Sequence, residues 1–153
     1  MPAPSPMFGV SADQVALTAA AAKTVLELAT PSTAGLTPVM WWVEFDGVSA
    51  SALPVKVEVG IFSAAVTTAT TATPFSLNGG ERGVASSGAA KTNATAEGAG
   101  TATYVETHRV SPTSGILVQE PLGNELVVGP SSFWRIRLTA AANVNATVGV
   151  RWF

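Results

Sequence analysis

The residues able to carry chemistry are few. His108 is the only histidine. It stands in Thr107-His108-Arg109, and Glu106 shares its strand face, so an ion pair or hydrogen bond between them is within reach. A general base needs a nucleophile beside it, and no pattern supplies one. A polar strand residue near a turn is the plainer reading of His108. One histidine and no cysteine leave zinc or iron without their usual ligand set. The carboxylates are Asp13, Glu27, Glu44, Asp46, Glu58, Glu81, Glu97, Glu106, Glu120 and Glu125. A glycosidase needs two of them across a cleft. No spacing selects a pair, and a hydrolase would have to converge distant ones. Gly79-Gly-Glu-Arg-Gly83 lacks the lysine of a phosphate loop and reads as a turn. Asn93-Ala-Thr95 and Asn145-Ala-Thr147 match the glycosylation sequon but read as ordinary polar β or loop residues. No cofactor is implied.

Aromatic and basic residues point to contact rather than catalysis. Trp41 and Trp42 are adjacent, so in a strand they face opposite ways. One can enter a core. The other needs a second cover: a loop, another sheet or another subunit, with a sugar platform as the rival. Arg135, Arg137 and Arg151 sit on polar strand faces. They would form a small basic patch if their strands paired, or be neutralised by cross-strand acids such as Glu58 or Glu106.

The elements that would position these residues are strands. Trp41, Val43 and Phe45 alternate with Met40, Trp42 and Glu44 over Pro38 to Phe45. Val55, Val57, Val59 and Ile61 alternate with Lys56 and Glu58. Ala102 to Val110, Ile116 to Gln119, Leu126 to Val128, Ser132 to Leu138 and Val144 to Trp152 continue the pattern between Gly, Pro and Ser turns. Lys23 to Leu28 reads as a strand. Val15 to Ala22 reads as strand or irregular chain, with a helix capped by Ser11 or Asp13 as the alternative. Residues 64–100 are rich in Ala, Thr, Gly and Ser without sustained period, and read as a long irregular excursion with room for a short strand or turn around Phe75 to Leu77. Pro2, Pro4 and Pro6 favour an extended N-terminal arm over residues 1–10. The expected fold is all-β: one antiparallel β-sandwich over residues 11–153, jelly-roll or Greek-key like, of about eight strands.

Composition narrows the partners. The 153 residues hold eight basic and ten acidic side chains, 12 % in all, for a net charge of -2. About 25 % is ordinary. Near-neutrality argues against nucleic acid, which needs a clustered basic face. No apolar run is long enough for a transmembrane helix, so no membrane partner is expected. The opening MPAPSPMFG has neither a basic nor an apolar region, so no secretory leader is expected. The solvent face must be built of Thr, Ser, Ala, Gly and Asn. Such a skin has little self-repulsion and favours association. It suits either a robust free domain or a chain that lives inside an assembly.

Several segments resemble small virion-associated proteins of tailed bacteriophages that infect Gram-positive and actinobacterial hosts. These are Lys23-Thr-Val-Leu-Glu-Leu28, Trp42-Val-Glu-Phe-Asp-Gly47 and Val55-Lys-Val-Glu-Val59. Thr107-His-Arg-Val-Ser-Pro112, Gln119-Glu-Pro-Leu-Gly123 and Val144-Asn-Ala-Thr-Val148 continue the likeness. The resemblance implies a capsid-decorating or auxiliary head protein. Such a protein is a homotrimeric β-sandwich on the capsid exterior, assembled in the host cytoplasm, that clamps neighbouring subunits of the major capsid protein. The contact candidates under that reading are Pro2, Pro4, Pro6, Phe8, Trp42, Arg135, Arg137 and Arg151. A tail or surface carbohydrate- or receptor-binding module is the alternative, and a hydrolase the second.

Overall fold

The computed structural model describes residues 7–49, 51–77 and 88–153. Eleven strands run in chain order: β1 (Phe8–Leu17), β2 (Ala22–Ala29), β3 (Pro38–Phe45), β4 (Val55–Phe62), β5 (Thr68–Ala72), β6 (Phe75–Ser76), β7 (Ala89–Ala96), β8 (Ala102–Val110), β9 (Gly115–Gln119), β10 (Phe133–Thr139) and β11 (Val144–Trp152). The described residues contain no helix. One sheet has five strands in the order β6-β1-β11-β3-β9, the other six in the order β5-β7-β2-β10-β4-β8. All ladders are antiparallel. The two sheets pack face to face as the expected β-sandwich.

Alternation drives this packing. Val10, Val15, Leu17, Trp41, Val43, Ala146, Val148, Val150 and Trp152 fill the inner face of the five-stranded sheet. Leu26, Leu28, Val55, Val57, Val59, Trp134, Ile136 and Leu138 meet them from the other. The β3, β4 and β11 faces fall as their periodicity predicts. Among the described residues no ladder joins two strands that follow each other in the chain. Every connection therefore crosses between sheets or skips a neighbour, and pairing closes large loops.

Four local expectations are revised. The arm was expected to reach residue 10, but Phe8, Gly9 and Val10 pair with Trp152, Arg151 and Val150. Proline stops at Pro6, and the apolar residues after it have free N–H groups and a core to enter. The helix alternative for 11–22 gives way to β1 and a turn, where Gln14 (φ 51°) and Ala20 (φ 59°) take left-handed conformations. The register of β1 on β11 shifts between Ala12 and Val15, at a bulge. The excursion at 64–100 holds the short strand expected around Phe75, β6, and also β5 and β7, and β7 pairs with β2 from Leu26↔Thr92 to Ala29↔Ala89. Its inward residues are Ala90, Thr92 and Ala94. Small residues alternating with Lys and Asn give too little contrast to register as a period. Gly79 to Gly83 lie outside the described residues. Leu126 to Val128 forms no ladder; Val128 makes a single bridge to Leu36.

Candidate functional site

The two outer faces of the sandwich differ. On the six-stranded sheet, Arg135 and Glu27 are cross-strand partners on the outer side. Arg135 Nε donates to Glu27 Oε2 at 2.7 Å, and both side chains are buried. The chain after β4 and after β7 folds over them. Arg135 Nη1 donates to the Glu97 carbonyl at 3.1 Å and Nη2 to the Ala64 carbonyl. The Val66 N–H donates to Glu27 Oε2 at 2.9 Å. The guanidinium carbon lies 4.3 Å from the centre of the Phe62 ring, a cation–π contact. Glu97 returns to the sheet by accepting from the Thr24 N–H and hydroxyl, each at 2.5 Å. A charge pair at the centre of this face thus fastens the protein's own loops over it. Further along, Lys56 pairs with Glu58, and Arg137 donates to the Tyr104 hydroxyl at 2.5 Å.

The outer face of the five-stranded sheet has no such cap among the described residues. One cross-strand row runs Leu117–Trp42–Gly149–Ser11. The next runs Gln119–Met40–Arg151–Gly9–Phe75. Trp42 lies over Gly149: a Cβ built there would stand 2.0 Å from Trp42 Cζ2. Phe75 lies over Gly9, where an added Cβ would be 3.0 Å from its Cζ. Glycine in each case lets an aromatic ring rest on backbone. Leu117 is 63 % exposed beside Trp42, and Leu122 is 92 % exposed beyond the end of β9. Beside Trp42 an open groove of about 470 Å³ runs past Glu44, Ser114 and Leu117. A smaller hollow of about 160 Å³ lies between Met40, Leu122, Arg151 and Phe153.

The sequence candidates scatter accordingly. Pro2, Pro4 and Pro6 lie outside the described residues. Phe8 is a core residue, its ring 6.1 Å from that of Trp152. Trp42 is on the uncapped face, and the cover it needed is in part its own Gly149. Arg135 is buried in its ion pair. Arg137 lies with it on the six-stranded sheet, whereas Arg151 is exposed on the other sheet. The basic patch that pairing of these strands would have made does not form, because β10 and β11 belong to different sheets.

His108 and Glu106 meet as expected, Nε2 to Oε2 at 3.0 Å. The imidazole centre is 5.7 Å from the ring of the buried Trp41. The structure adds Glu120 as an acidic neighbour of Glu106. Burial first, then the neighbouring Glu106, then the Glu125 charge, hold the Glu120 carboxyl above its ordinary range. Inward alternation after Ile116 and Val118 would have placed Glu120 on the inner face. Which strand it faces is a matter of topology. Among the described residues no group of three or more His, Asp or Glu side chains is arranged to hold a metal ion. Both sequon asparagines are structural: Asn93 takes a left-handed conformation within β7, and Asn145 donates to Asp46.

Comparison with family models, with curated proteins and with solved structures finds no match to this chain.

Proposed function

We propose that this chain is a structural virion protein. It binds the outside of a phage capsid as a homotrimer and stabilises the lattice of major capsid subunits. The observation that carries this reading is the contrast between the two outer faces. One is fastened under the protein's own loops by Arg135 and Glu27. The other presents Leu117 and Met40 beside Trp42 and Phe75, whose rings lie over Gly149 and Gly9, with Glu44 and Arg151 in the same sheet. A weakly hydrated, pleated face suits broad contact with another protein surface. Binding only the assembled shell would lower its free energy relative to dissociated subunits. Repetition over a symmetric lattice would multiply weak contacts into firm attachment.

The test is to add the purified protein to capsids that lack it and image them by cryo-EM. Ordered density on the outer lattice, with a higher disassembly temperature for the shell, is the expected result. Leu117→Asp, at an exposed position, should abolish that density without altering the protein's own melting. Bare shells, or undiminished attachment of the variant, would overturn the proposal.

The open groove beside Trp42 favours a second reading, a carbohydrate- or receptor-binding module. There an aromatic edge lies beside the Glu44 carboxylate and the Ser114 hydroxyl. A glycan array separates the two: saturable glycan binding lost in Trp42→Ala supports the module, and no binding removes it.

A further inference from the structure

Each sheet ends on both sides in a strand with one open edge, and most of these edges carry a device that blocks further pairing. β1 is covered at Phe8 and Gly9 by β6, and beyond it the strand carries Asp13 and bulges at Gln14. β5 meets β7 in a register that shifts between Thr68 and Thr70. β8 bulges at Val105, which has no partner on β4, and carries Glu106, His108 and Arg109. β9 has no such device. Gly115-Ile-Leu-Val-Gln119 holds neither charge nor proline, and it pairs with β3 without a break from Glu44↔Gly115 to Met40↔Gln119.

The ladder fixes which backbone groups of β9 remain free. The Phe45 N–H donates to the Ser114 carbonyl at 3.0 Å, and the Glu120 N–H to the Val39 carbonyl at 2.9 Å. Bonded residues alternate along an antiparallel ladder. Ser114, Ile116, Val118 and Glu120 therefore turn their backbone groups to β3, and Gly115, Leu117 and Gln119 turn theirs outward. Among the described residues nothing pairs with those outward groups. The side chains also lack a neighbour. Ile116 and Val118 point toward the core yet are only half-buried, and Leu117 is exposed on the other face.

We propose that β9 takes the β9 of a second copy of this chain as its next strand, antiparallel, about a two-fold axis at Leu117. The free groups are self-complementary in that register, which an isologous contact requires. Leu117 faces the partner's Leu117 in a doubly bonded pair, and Gly115 faces the partner's Gln119, so about six backbone bonds form. On the inner face Ile116 meets the partner's Val118, covering the apolar surface that each copy leaves half open. On the outer face the two leucines meet, and each Gln119 lies opposite a residue without a side chain. No charge opposes a like charge: residues 115–119 have none, and Glu120 comes opposite the partner's Ser114. The product is a sheet continuous across both copies, with two Leu117–Trp42 rows on one outer face. This contact is two-fold. It is additional to the three-fold association proposed above and does not rest on the capsid reading.

Sedimentation velocity and residue-resolved hydrogen exchange by NMR, on the full chain at about 20 μM and about 1 mM, test this. A dimer should appear at the higher concentration. The amides of Leu117 and Gln119 should then slow by on the order of tenfold, whereas those of Ile116 and Val118, bonded to β3, should be protected at both. Gln119→Pro removes an outward N–H and no bond to β3, so it should melt close to the unmodified protein and remain a monomer. Leu117→Lys sets like charges against each other on the axis and should have the same effect. A monomer at about 1 mM overturns the inference. So does association in which the amides of 117 and 119 exchange as freely as before, and so does a dimer undiminished in either folded variant. Association of the second kind, through another surface, would leave the capsid reading standing.

Discussion

The indole of Trp42 rests on the bare backbone of Gly149, its partner across the β3–β11 ladder. The contact explains how two consecutive tryptophans are accommodated in one strand. Trp41 is buried against β8 and the core, and Trp42 is covered from one side by a strand that carries no side chain at that point. Gly149→Ala should therefore displace the Trp42 ring and destabilise the fold by about 1–3 kcal/mol, as overpacking does. Urea unfolding measures the loss. In Gly149→Ala combined with Trp42→Ala the cost should be smaller than the sum of the single changes, because the clash has been removed with the ring. Strict additivity would show that the contact carries no energy.

The Glu27–Arg135 pair gives a second expectation. Removing one partner, as in Arg135→Met, leaves the buried Glu27 carboxylate with only the Val66 N–H and Lys91 Nζ at 4.0 Å, and should cost about 3–5 kcal/mol. Replacing both by apolar residues often restores stability when a buried ion pair stands alone. Here it should not. The Val66 N–H and the Ala64 and Glu97 carbonyls would also lose their partners. Limited proteolysis should then cut first within residues 63–67 and 97–101. Chemical denaturation of the single and double variants, alongside the digestion pattern, checks both statements.

Acid should act on a different contact. Asp46 accepts from the Asn145 side chain at 2.8 Å and from its N–H at 2.9 Å, and these bonds hold its carboxyl below the ordinary range. A lowered value means stability that is present above the unfolded-state pKa and lost as pH falls through the folded one. Asp46→Asn should flatten the acid limb of the melting-temperature profile below about pH 4. It should leave unchanged any slope at higher pH that Glu120 causes. An identical acid limb in the variant would show that the contact has no thermodynamic weight.

Phe8 sets the limit for trimming the N-terminus. Deleting residues 1–6 spares the β1 pairing that starts at Phe8, so the domain should still fold cooperatively. Phe8→Ala should cost about 3–5 kcal/mol, because its ring is buried against Trp152. Thermal melts of the two variants decide this. A capsid-attachment assay on the shorter deletion then reports on Pro2, Pro4 and Pro6 free of any effect on the core.

Much of the sandwich was legible because its strands are half-buried and alternate strongly. Val55, Val57 and Val59, or Trp134, Ile136 and Leu138, declare an inner face by period alone. The pairing of Glu106 with His108 was legible for the same reason, being separated by two residues on one strand. β7 was not, because Ala and Thr serve both faces there and hydropathy hardly changes between them. Phe8 was hidden by the prolines before it.

What the sequence determined by itself was therefore strand content, face assignment and the scarcity of charge. Those follow from backbone geometry and local side-chain chemistry. Only the tertiary structure decided that Arg135 and Arg151 lie on opposite sheets, that Gly149 falls under Trp42, and that loops after β4 and β7 close over Arg135. Each depends on which strands become neighbours. In a fold where no ladder joins consecutive strands, that choice rests on the collective burial of both sheets rather than on any local signal.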